Sequence, residues 1–118
     1  MNNGDFDIYT LTSPAVADPD FHRWLLSSEN IPPLGSTSNR GGYRDAEMDR
    51  VVKAGAEETK DDARRALYAK AQSILARDLP VIPLWYETIV AAESDRLYDY
   101  ELSPFASYRG LATARRKP

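Results

Sequence analysis

The strongest constraint on this chain is a long helical pattern that runs into a proline and then into an unbroken apolar stretch, "ARRALYAKAQSILARDLPVIPLWYE", residues 63–87. Ala63, Ala66, Leu67, Ala71, Ile74 and Leu75 recur at three- and four-residue steps and so share one face, while Lys60, Arg64, Arg65, Lys70 and Arg77 fall mostly off it. Thr59 with Asp62 three residues on fits a capping-box start, with the shorter Asp in place of Glu or Gln. Asp61 and Asp62 suit the positive end of the helix dipole. Pro80 lacks the amide hydrogen a continuing helix needs and biases Leu79 toward extended geometry, so the helix is expected to stop near Asp78. "VIPLW" then has no polar alternation, the pattern of a strand covered on both faces, and Pro83 makes that strand an edge or interrupts it. A helix followed by a buried strand predicts an α/β layer.

With 118 residues and 42% hydrophobic content, one domain with a respectable core is affordable to the chain. A formal net charge of −3 argues against general attraction to nucleic acid or to a membrane surface. The basic end, Arg115, Arg116 and Lys117, reads as a solvated tail. No run approaches the roughly 18 apolar residues of a membrane span, and "MNNGDFDIYT" lacks the basic and apolar regions of a secretory signal. The absence of cysteine excludes disulfides and thiolate sites without fixing a compartment.

Along the chain, "FDIYTLT", residues 6–12, alternates well enough for a strand. In "ADPDFHRWLLSS" Asp18 takes the N-cap position and Pro19 the first helical one, with Phe21, Trp24 and Leu25 at helical spacing. Residues 29–43, "ENIPPLGSTSNRGGY", are loop by every signal. A second helix is expected from near Asp45, with Met48, Val51 and Val52 buried and an end by Gly55. "TIVAAE", residues 88–93, can pair as a further strand, and the remainder reads as extended or irregular, anchored by Tyr98, Tyr100, Leu102 and Phe105. The fold expected is mixed α/β, with about three helices and about four strands.

Catalytic patterns are scarce. His22 is the one histidine and has no second ligand at metal spacing, so it reads as a surface residue. There is no nucleophile elbow, and "NRGGY" lacks the lysine and glycines of a phosphate loop. The acidic residues between 45 and 62 sit at helix starts and on solvated faces, where paired-carboxylate catalysis is the weaker reading. The chain does not read as an enzyme, and no cofactor or metal is called for.

The order of motifs carries more than any one of them. "ADP" before a short aromatic helix, "NRGGYRDAEMDRVV", "ARRALYAKAQSILARDLPVIPLWY" and "YELSPFASYRGL" together resemble the C-terminal portion of the family 5 extracellular solute-binding proteins of ABC transporters, the oligopeptide, dipeptide and nickel-binding class. The resemblance covers essentially the whole chain. It implies a partial lobe of a two-lobed periplasmic binding protein-like II fold. Residues 1–87 would be a segment of the C-terminal lobe, lobe III, and residues 88–118 an extended return toward the hinge and lobe I. The sharp helix stop and the strand after it would then be demanded by that return. Members of the class are several times longer, so the resemblance implies one part of a longer protein, in the periplasm or at the cell surface.

The resemblance also places candidate ligand contacts. In the family, the loop after the first strand here carries a Trp and, in peptide binders, an Asp that pairs with the ligand's amino terminus. The matching segment offers Thr12 or Ser13, then Pro14, and Ala15 where that Asp would fall. An ammonium buried without a countercharge is costly, so the change weakens the case for a free-amino peptide unless another lobe supplies the carboxylate. A plain strand–helix turn is an equal reading of these residues. Asn39, Gly42 and Tyr43 would lie near the cleft, with packing equally open to them, whereas Trp24, Trp85 and Tyr86 are assigned to core or lobe contacts. The function implied is capture of a peptide or other small solute outside the inner membrane and delivery to an ABC permease. The alternative is a structural or interaction domain with the same lobe fold and no small-molecule ligand. In either case surfaces left uncovered would favour self-association.

Overall fold

The computed structural model describes residues 5–13, 17–33, 38–105 and 107–116. They fall into two compact units, one of residues 5–10 and 18–83, the other of residues 11–13, 17 and 84–116.

The first unit is helical. Helix α1 spans Phe21–Leu26, α2 Ala46–Glu57 and α3 Asp61–Asp78, with a 3-10 turn at Ser28–Asn30. Leu26, Met48, Val51, Val52, Ala71 and Ile74 form the buried cluster, with Leu25, Tyr43, Leu67 and Leu75 packed against it. Burying each of the larger aliphatic side chains is worth about 1.5–3 kcal/mol, which makes α2 against α3 the principal stabilising contact. The start of α2 is as expected: Asp45 is its N-cap, and its carboxylate accepts from the Met48 amide at 2.7 Å. The helix outlasts Gly55 by two residues, because Gly55 serves packing rather than termination. A Cβ there would lie 2.9 Å from Cζ of the buried Tyr68 ring.

Helix α3 ends at Asp78 as expected, but three details differ. Thr59 is not its cap. Lys60 holds that position, and the Glu58 carboxylate accepts from the amides of Thr59 and Lys60, both at 2.8 Å. Leu79 is left-handed (φ 48°, ψ 47°) instead of extended, donating its amide to Leu75 O at 2.9 Å before Pro80. Such a turn at a residue with a Cβ costs about 1–2 kcal/mol. Ala66 is exposed and Tyr68 buried, so the buried face is rotated from the one that aliphatic spacing suggests.

The expected strands are the main correction. The described residues contain two strands of two residues each, β1 Leu97–Tyr98 and β2 Arg115–Arg116, antiparallel with Leu97 opposite Arg116. None lies in 6–12, 81–85 or 88–93. Residues 80–93 take part in no backbone–backbone hydrogen bond among the described residues, and "VIPLW" is not covered: Ile82 is 71% exposed and Trp85 74%. Strand character requires a partner edge, and the described residues supply none. Of the core or lobe contacts expected for Trp24, Trp85 and Tyr86, the core contact is not formed by Trp85 or by the fully exposed Tyr86, and Trp24 is 42% exposed and stacked on Phe21 at 5.4 Å.

The second unit is held by local closures. A 3-10 turn at Tyr108–Ala112 brings Gly110 onto the Glu101 backbone so closely that a Cβ would lie 2.2 Å from the carbonyl oxygen. Thr113 Oγ1 donates to Asp99 O at 3.2 Å, at a residue with φ 60°. Around these, Leu102, Tyr108 and Leu111 line an open apolar groove.

Candidate functional site

The loop at 38–43 is the most tightly organised of the candidate segments. Asn39 is 3% exposed. Its amide nitrogen donates to the carbonyls of Leu26 (3.3 Å), Ser27 (3.0 Å) and Tyr43 (2.8 Å), and its oxygen accepts from the Tyr43 amide at 3.1 Å. Both polar atoms of the carboxamide are therefore engaged by backbone, and they tie the loop to the end of α1. Ser38 Oγ donates to Trp24 O, which also accepts from Asn30 Nδ2 at 3.1 Å. Gly42, at φ 69°, makes the turn that lets the chain double back onto Asn39.

Tyr43 leaves this loop toward the end of α3. Its hydroxyl donates to Asp78 Oδ2 at 2.6 Å. Arg77 grips the same carboxylate at 2.5 and 2.8 Å and reaches Asp45, the α2 cap, at 3.2 Å. Burial, then the hydrogen bond to Asp78, pushes the Tyr43 phenol well above its ordinary range. The hydrogen bonds from Arg77 and Tyr43 hold Asp78 down at about 2.

A second polar group surrounds Tyr68. Arg64 pairs with Asp18 at 2.7 Å, stacks over the Tyr68 ring at 5.0 Å and donates to Gly55 O at 3.1 Å. The Tyr68 hydroxyl donates to Asp20, which also pairs with Arg23 at 3.0 Å. The Arg64 hydrogen bond holds Asp18 below the usual carboxylate range. Asp18 is not the N-cap expected from the sequence: its carboxylate accepts from the Asp20 amide at 2.8 Å and so closes a turn ahead of the helix, Asp20 holds the cap position, and the regular helix starts at Phe21 rather than at Pro19. His22 Nδ1 lies 3.0 Å from Pro19 O, and no three His, Cys, Asp or Glu side chains among the described residues are grouped as a metal site requires.

Of the other candidates, Thr12 and Ser13 are exposed, and Thr12 Oγ1 donates to Glu87 Oε1 at 3.2 Å. Pro14 and Ala15 lie outside the described residues. The structure thus joins Asn39 to Tyr43 directly, while Thr12 and Ser13 belong to the other unit. Sequence reasoning missed the Asp78 and Arg77 partners of Tyr43. Their separation from it by more than thirty residues leaves no periodic signal. For Gly55 and Tyr68, a glycine inside a helical pattern was the available clue.

Three relatives bear on what this arrangement serves. Over 89 residues the chain is 30% identical to di/tripeptide-binding protein 3 of Pseudomonas aeruginosa, a match covering 75% of this chain and 16% of the relative. A dipeptide-binding protein of the same species is 30% identical over 97 residues, 80% of this chain and 18% of the relative. The probable ABC transporter periplasmic-binding protein SapA of Escherichia coli is 36% identical over 97 residues, 80% of this chain and 17% of the relative. The likeness is to peptide-binding and periplasmic-binding proteins. It supports the relationship with the family 5 solute-binding proteins that the order of motifs suggests. The matched part of the chain spans less than a fifth of the length of these curated relatives. No family model matches it, and no solved structure does. The relatives are named for binding, not for catalysis, and no helix among the described residues is long and apolar enough to cross a membrane.

Proposed function

We propose that this chain contributes part of an extracytoplasmic solute-binding protein that captures a peptide or another small solute and hands it to an ABC permease. The likeness to two proteins named for dipeptide or tripeptide binding, across at least three quarters of the chain, is the observation that carries the reading. The helical unit would be the lobe III segment. The extended residues that follow it would return toward the hinge and the first lobe. Residues 12–15 would approach the solute, and the loop at 39–43 would form a wall near it. On this reading binding energy selects a closed state that the permease recognises.

Neither Asp18 nor Asp20 is an idle carboxylate, since each is engaged by an arginine. A free amino terminus on the solute would therefore find its countercharge elsewhere in the full protein.

The test is native mass spectrometry of the protein purified from its own cells, with a thermal-shift screen of dipeptides and tripeptides. A retained peptide, or stabilisation that grows with peptide concentration, supports the reading. No retained solute and no shift with any peptide at millimolar concentration overturns it.

A further inference from the structure

The polar cluster at the C-terminal end of α3 has the form of a latch on the 38–43 loop. One carboxylate, Asp78, is shared by the Tyr43 hydroxyl (2.6 Å) and the Arg77 guanidinium, and Arg77 continues to the Asp45 cap of α2 at 3.2 Å. On the other side, Asn39 exchanges two hydrogen bonds with the Tyr43 backbone. Tyr43 is thus the residue at which the loop, the start of α2 and the end of α3 meet, and its ring packs against the core cluster. Core packing alone would be satisfied by phenylalanine. The phenol oxygen has a separate purpose, because it carries the hydrogen bond from this half-buried residue to a charged partner on α3.

We propose that Tyr43 is a positioning residue: through Asp78 it fixes the conformation of the 38–43 loop by reference to the end of α3. This rests on the proposed function only for the claim that the loop borders a solute site. The latch couples the loop to the point where the chain leaves α3, since Leu79 makes its left-handed turn directly after Asp78. A loop held in one conformation before binding needs less ordering when the solute arrives.

The test is residue-resolved amide exchange by NMR on Tyr43→Phe and Asp78→Asn, with Asp78→Glu as the conservative rescue. The expected result is faster exchange, by roughly tenfold or more, at the amides of Gly42 and Tyr43 in both variants. Val51 and Val52 amides in α2 should keep their wild-type rates, and Asp78→Glu should recover most of the loop's protection. Unchanged loop exchange in Tyr43→Phe, or acceleration spread evenly over loop and core, overturns the latch.

Peptide binding by the wild-type protein reports separately on the transport reading. If the wild type binds, Tyr43→Phe should bind roughly three- to tenfold more weakly. An unchanged affinity in a variant whose loop exchange has risen overturns the positioning role while leaving the transport reading intact.

Discussion

Ile74 and Ile82 stand on either side of the same proline and meet opposite fates. Ile74 is 2% exposed within α3, whereas Ile82 is 71% exposed on backbone that pairs with nothing among the described residues. The residues around Ile82 are the more apolar of the two sets, so hydrophobicity does not account for the difference. What separates them is where the partner surface comes from. Helix α3 packs on α2 after a connection of three residues, and both satisfy their own backbone. The segment after Pro80 needs a neighbouring edge for its amides and two covering layers for its side chains. A helical hairpin can be complete within a short stretch of chain, and an extended segment cannot.

The largest test of this contrast is to truncate both isoleucines. Ile74→Ala should lower unfolding stability by about 2–5 kcal/mol, and Ile82→Ala should stay within about 0.5 kcal/mol, both read from urea titration. Equal losses at the two positions would break the comparison. Gly55→Ala sharpens it within the helical unit. Overpacking against Tyr68, at about 1–3 kcal/mol, should outweigh the roughly 1 kcal/mol that alanine gains over glycine in a helix. The ring cannot swing aside freely, since its hydroxyl is bonded to Asp20 and Arg64 covers its face. Thermal denaturation of Gly55→Ala checks the sign. Asp45→Ala should then cost about 1 kcal/mol by leaving the Met48 amide uncapped, measurable in the same urea experiment.

The smallest effect is acid sensitivity. Asp78 is held at about 2 in the folded protein, below its ordinary value near 3.9. Its contribution is therefore complete above about pH 4 and is lost as pH falls toward 2. Asp18, shifted the same way, adds to that limb. Asp78→Asn should flatten the pH dependence of the melting temperature between about pH 4 and 2 and leave the slope above pH 5 unchanged. A slope unaltered in the acid range would show that the Tyr43–Asp78–Arg77 group adds nothing to stability.

Legibility followed the range of the interaction. The start of α2 near Asp45, the buried Met48, Val51 and Val52, and the stop at Asp78 were all readable, because helical faces and proline stops are set by residues within a turn or two. The candidate loop was recognisable as a loop, yet its binding partners were not. Asn39 could be named from its resemblance to a motif, but not as an amide that braces three carbonyls. Thr59 and Ala66 misled because Glu58 and Tyr68 were competitors that spacing alone did not rank.

By itself, then, the sequence determined three helices, their order and the proline that ends the longest, since each depends on backbone bonds closed within four residues. Only the tertiary structure decided that Tyr68 lies against Gly55, that Tyr43 reaches Asp78, and that "VIPLW" stays open to solvent. Each of those outcomes depends on which surface arrives from a distant part of the chain, or on none arriving. Local periodicity carries no record of that.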